Sequence, residues 1–316
     1  MMTTRTMRRR TSDEQRSDVT TRVSAALLLF IAAGAGADTL WVDASATGPG
    51  DGSATNPFIL IQEAVDAASS GDEIVLRDGT YYGVGNRRVE VPSMDLTIRS
   101  VNGPLQTFIG GENIQLMRIN GPGSGTVALQ GLTFLNGSTF TNGGAVRSID
   151  AAVEFIDCRF DSNEATDDGG AVYAEGSDLG FTECRFIDNT AQRGGAIDLN
   201  DSTASFLDCR FGRASLTRGN ISNGRGGALS MRRSAVSLES TSFYDCASTT
   251  NRGGAMVVEE GSTAVIIDGE FESCDSELGG GAIYASSSGL EIETTRFTGN
   301  SSNTNGGAIR ARDDAT

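Results

Sequence analysis

Residues 280–300 read GGAIYASSSGLEIETTRFTGN, and the spacing inside this stretch decides the fold. Ile283 and Ala285 lie two apart, with Tyr284 between them. A turn of Ser and Gly follows, through Ser286, Ser288 and Gly289. Leu290 and Ile292 again lie two apart, and Thr295 and Phe297 resume the alternation after a change of phase. Each burst is a short strand with one face inward. The Gly, Ser and Asp between bursts tolerate bend geometry. Three short strands with no helical period make one coil of a solenoid.

The unit recurs along the chain, as repeat architectures require. Gly-Gly-Ala followed by an aliphatic residue begins at Gly143, Gly169, Gly194, Gly226, Gly253, Gly280 and Gly306, at intervals of 26, 25, 32, 27, 27 and 26. A phenylalanine keeps step at Phe134, Phe160, Phe186, Phe211, Phe243, Phe271 and Phe297, including at the one long interval. The expected architecture is therefore all-β: a right-handed parallel β-helix of about ten coils, with successive coils about 4.8 Å apart. Three inward ladders follow. One is Val146, Val172, Ile197, Leu229, Met256, Ile283 and Ile309; a second is Phe155, Phe181, Phe206, Leu238, Ile266 and Ile292; the landmark Phe forms the third. Cys158, Cys184 and Cys209 stand two before the Phe. Cys246 and Cys274 stand three after it, where other coils have Asn163, Asn189 and Asn300. All five read as small buried ladder members rather than a disulfide framework.

The chain divides into three parts. Residues 1–37 read as a signal peptide: six arginines precede an apolar core from Val23 to Ala33, and Ala35-Gly36-Ala37 offers a cleavage site after Ala37. No other apolar run is long enough to span a membrane. Residues 38–130 lack Gly-Gly-Ala and read as irregular coils, opened by a short helix at Ile61, Ala64, Val65 and Ala68 that caps the first coil. Residues 131–316 carry the repeat. A new coil opens at Gly306 and the sequence stops at Thr316, which reads as truncation.

Composition excludes several chemistries. Net charge is −16, all 25 basic residues are arginine, and histidine is absent. The leader holds six Arg and three acids, so the remainder is near −19. The acidity argues against nucleic acid as a partner. Without histidine there is no Ser-His-Asp or Cys-His site and no His-ligated metal.

Gly-Gly-Ala-Ile paired with Phe-x-x-Asn, as in Phe160 to Asn163, Phe186 to Asn189 and Phe297 to Asn300, resembles the repeat of the chlamydial polymorphic outer-membrane proteins. The resemblance covers about residues 131–316; Ala214, Cys246 and Cys274 depart from it. The stretch from Trp41 through Gln62-Glu63-Ala64-Val65-Asp66 to Gly79-Thr80-Tyr81 resembles the entry segment of bacterial right-handed β-helix proteins. The resemblance implies a secreted or outer-membrane, surface-exposed bacterial protein acting as an adhesin or display scaffold. The partners implied are glycans or proteins of a host or neighbouring cell, and no cofactor is expected. A passive structural spacer remains the plainest alternative.

Pectate lyases of this fold use calcium held by stacked acids and an arginine base, so a glycan-cleaving enzyme is the runner-up. Asp157, Glu183, Asp208 and Asp268 stand three before the Phe, and Arg159, Arg185, Arg210 and Arg296 one before it. Both columns are expected outward on one strand face. The plainer reading is an acid ladder relieved by an arginine ladder, about 0–1 kcal/mol per exposed pair. The long interval carries Arg213, Arg218 and Arg225, with Arg232 and Arg233 one strand on. This reads as a ligand loop with a basic patch, against a plainer reading of solvated arginines on a tolerated insertion. Asp51-Gly52-Ser53 and Asp167-Asp168 read as turns rather than calcium loops. Tyr173 and Tyr284 are expected on the outer face, where they could stack on sugar rings.

Overall fold

The structure is a computed structural model that describes residues 36–111, 114–121, 125–212 and 219–316. The leader up to residue 35, with Arg213 and Arg218, lies outside the described residues. The chain forms a parallel β-solenoid in which every ladder between named strands is parallel. Parallel strands joined by crossovers of this kind wind right-handed.

Four sheets enclose the core, rather than the three strands per coil expected. Counting from Gly-Gly-Ala, one coil runs through Val172–Glu175, Asp178–Thr182, Arg185–Ile187 and Thr190–Arg193. These belong to the first, second, third and fourth sheets, of nine, ten, nine and seven strands among the described residues. The fourth sheet escapes sequence reading because several of its strands, such as Glu164–Ala165, hold two residues. Two residues cannot display an alternation.

The registers match the ladders read from the sequence. Val146 lies beside Val172, then Ile197, Leu229, Met256, Ile283 and Ile309. The landmark rings stack with centroids 4.5–5.0 Å apart and nearly parallel planes. Phe155, Phe181 and Phe206 form a second stack at 4.8 Å, edge-on to the first at Phe160 and Phe186. Backbone spacing thus sets ring spacing, and offset parallel stacking is favourable at that distance. The five cysteines are free and buried.

The Asn column is more complete than its sequence spacing suggests. Asn163 donates to Asn189 Oδ1 at 3.0 Å, and Asn189 donates to Asn220 Oδ1 at 2.9 Å. Asn220, not Ala214, holds the position in the long coil. The insertion lies between Gly212 and Gly219, inside the Phe-to-Asn interval, so the column passes it unbroken.

The double glycine has two separate causes. Gly169 adopts φ +64°, a left-handed bend that a side chain disfavours. Gly170 is ordinary in φ, but a Cβ there would meet the carbonyl oxygens of Gly195, at the start of the next coil, and of Thr190, on the strand leading into it. The helix Ile61–Ala67 packs on the edge strands Thr39–Val42 and Val89–Pro92, with Ile61, Ala64 and Val65 buried. That placement agrees with a cap.

Candidate functional site

Two corners of the solenoid gather polar side chains. The first lies between the second and third sheets. Each coil turns there through one left-handed residue: Asp157 at φ 47°, Glu183 at 56°, Asp208 at 53° and Asp268 at 53°. The acid column therefore occupies the bend and not a strand face, as the sequence reading had it. Asp is among the side chains that tolerate this conformation best. Gly269 follows Asp268, but after Asp157, Glu183 and Asp208 comes a buried Cys, its thiol directed at a carbonyl of the preceding coil, as from Cys184 to Phe155 O at 3.3 Å. The next residue is the arginine that opens the third-sheet strand, and Arg159, Arg185 and Arg210 lie in register.

Asp157, Glu183, Arg185, Asp208, Arg210 and Tyr244 border an open groove of about 330 Å³. Burial, then the charge of Glu183, raises the Asp157 carboxyl above its usual range, while Arg185 and Arg159 pull it down. The Arg210 guanidinium lies 4.6 Å over the Tyr244 ring, whose hydroxyl donates to Glu270 at 2.5 Å. Arg159 and Arg185 thus relieve Asp157 at a distance rather than through contact ion pairs. Among the described residues only Arg296 of this column has a carboxylate in ion-pair range, Glu270 at 3.7 Å. Nor do three acids converge closely enough among the described residues to hold a metal ion.

The second corner lies between the fourth and first sheets, directly before each Gly-Gly. A trough of about 530 Å³ runs there past Asn142, Asp167, Gln192, Arg193, Arg225 and Asn251. Arg225 ends the strand Ile221–Arg225 instead of projecting from a loop, and pairs with Glu259 at 2.7 Å. Arg232 pairs with Asp198 at 3.1 Å, and Arg233 with Asp201 at 2.9 Å and with Glu260. The described part of the expected basic patch is therefore neutralised. Asp168 is not a plain turn residue either: it is buried and meets the Arg193 guanidinium through two bonds, of 2.9 and 2.6 Å.

Sequence reasoning missed Asp198. It points outward from the first sheet yet is fully buried, and its Oδ1 has no partner among the described residues. Burial drives its pKa up to about 6 against the pull of Arg232. The only sequence signal was an acid in a column that from Arg118 onward otherwise holds Arg147, Tyr173, Ser230, Val257, Tyr284 and Arg310. The two tyrosines of that column are buried, correcting the expectation of exposed stacking surfaces. Arg252 covers Tyr284 at 4.7 Å.

These features define a parallel β-solenoid with polar grooves along its corners. Two of its coils, residues 157–175 and 294–312, match the Chlamydia polymorphic membrane protein repeat. A search of curated proteins finds no match. Among solved structures the chain is similar to a rhamnogalacturonan lyase, at 12% identity and TM-score 0.56, over 83% of this chain and 74% of that one. It also resembles a mannuronic acid specific polysaccharide family 6 lyase from human gut microbiota, at 13% identity and TM-score 0.48, over 83% of this chain and 59% of that one. The likeness to the first supports the β-helix fold. No helix among the described residues is long and apolar enough to cross a membrane.

Proposed function

We infer that the chain is an exported surface or envelope β-helix, an adhesin or display scaffold that holds glycans or proteins of a neighbouring or host cell. The observation that carries this reading is the groove at Asp157, Glu183 and Asp208. Arg185 and Arg210 form no ion pair there among the described residues. Guanidinium donors and carboxylate acceptors side by side suit the hydroxyl and carboxyl groups of a sugar chain. The match of two coils to a surface-protein repeat supports the location.

A second reading, a calcium-dependent glycan lyase, is favoured by the same acids and arginines sharing one groove. One experiment separates them. The full chain and an Arg185→Ala/Arg210→Ala variant are immobilised and offered acidic and neutral polysaccharides and a cell-surface extract, with and without calcium. Retention and new chain ends are read together. The adhesin reading expects retention without new ends, about tenfold weaker in the variant. New ends that need calcium would replace it with the lyase. No retention of any polymer or cell-surface extract would leave the passive spacer.

A further inference from the structure

We propose that the trough before the Gly-Gly bends binds an uncharged, extended polysaccharide lying parallel to the solenoid axis, with Phe140 as its stacking platform. This site is separate from the arginine groove and stands or falls independently of it.

The floor of the trough is backbone shared between coils. Asp167 N donates to Thr141 O at 3.1 Å, and Gln192 N donates to Asp167 O at 2.7 Å. Side chains along it are therefore spaced by the coil repeat, about 4.8 Å. That distance is close to the rise of one sugar in an extended pyranose chain. It does not match an extended peptide, which advances about 3.3 Å per residue.

The lining chemistry selects for hydroxyls. Gln192 is exposed and Asn251 half-buried, and neither side-chain amide is hydrogen-bonded among the described residues. Each amide offers both donors and an acceptor. Asn142 accepts from Asp168 N at 3.2 Å, which leaves its NH₂ group to face a ligand. Gly224 keeps the floor low: a Cβ there would lie 2.9 Å from the Gln192 amide nitrogen.

Charge decides which sugars fit. Both lining arginines are neutralised, Arg193 by Asp168 and Arg225 by Glu259. Asp167 is exposed and forms no ion pair among the described residues. Among the lining residues a uronate chain would meet an unpaired acid and no unpaired base, Arg252 beyond Asn251 being held on Tyr284, and the chain's net charge is −16. A neutral chain meets no such penalty.

Phe140 is 86% exposed, two residues before Asn142 and one coil from Thr166 and Asp167. A lone exposed aromatic is common. Standing two residues from the lining Asn142, it gives the apolar face of a pyranose ring a surface to cover. The trough's volume, about 530 Å³, falls in the usual range of ligand sites.

The test is affinity electrophoresis of the full chain in gels containing β-glucan, xylan, mannan or galactan, with polygalacturonate and alginate as charged controls. Retardation by at least one neutral polymer is expected. Phe140→Ala and Gln192→Ala/Asn251→Ala should each weaken it about tenfold, and Arg185→Ala/Arg210→Ala is run beside them. Phe140 and Gln192 are exposed and Asn251 is half-buried, and circular dichroism is the check that each variant is folded. Absence of retardation by every neutral polymer overturns the proposal. So does retardation by charged polymers alone, or unchanged retardation in both trough variants. Loss in the arginine variant with the trough variants unaffected moves binding to the other groove and leaves the adhesin reading standing.

Discussion

Glu154 shows how far one outward side chain can be taken from its sequence value. It lies on the second sheet beside Gly180 in register, and its carboxyl folds over the space that glycine leaves open. Burial, then the charge of Asp178, pushes its pKa up to about 7. The folded state therefore holds this proton more tightly than the unfolded chain does. Its contribution to stability is complete below the unfolded value and is lost as pH rises through about 7. Asp198, at about 6, acts in the same direction over the lower part of that window. Thermal midpoints measured from about pH 5 to pH 8 should fall with pH in the native chain. Glu154→Gln should flatten the upper part and leave the Asp198 part. Parallel curves for the two proteins would show that Glu154 is an ordinary surface carboxylate. None of this is visible in the sequence, where Glu154 is one of many acids on alternating strands. Its environment comes from residues one coil away.

At the level of strands and bends, the paired glycines carry the clearest consequence. Gly170→Ala places a methyl group against backbone carbonyls that cannot withdraw, because they belong to the neighbouring coil's ladder. The expected loss is on the order of 3 kcal/mol, read as a shift of the urea midpoint. Gly289→Ala is the control. Its φ is ordinary, and the nearest atom to an added Cβ is Thr263 Cγ2 at 3.3 Å. Its stability should change by about 0.5 kcal/mol or less. Equal losses in the two variants would mean that coil contact is not what Gly170 protects. The glycine column was legible because its cause recurs in every coil. The two-residue strands of the fourth sheet were not, since they hold no side-chain alternation. Nor was the role of Asn220, because an insertion of unknown position hides the interval that would reveal it.

Across the whole solenoid each coil touches only its neighbours, so stability should vary along the axis. Leu290, Ile292, Phe297 and Ile309 are only half-buried, whereas Leu238, Ile266, Phe271 and Ile283 in the coils before them are fully buried. Amide hydrogen exchange should be slowest over residues 146–212 and 219–276 and faster from residue 289 onward. Uniform protection would indicate that the coils unfold as one unit. The sequence by itself determined the solenoid and the inward ladders of its first three sheets. A parallel stack places equivalent residues above one another, so the period alone specifies who meets whom. Only the tertiary structure decided which arginines are neutralised, which tyrosines are covered, and which corner keeps free polar groups. Arg225 and Glu259, or Arg232 and Asp198, are 34 residues apart and meet across coils. Such contacts depend on the reach of long side chains around a bend, and a repeat period carries no record of that reach.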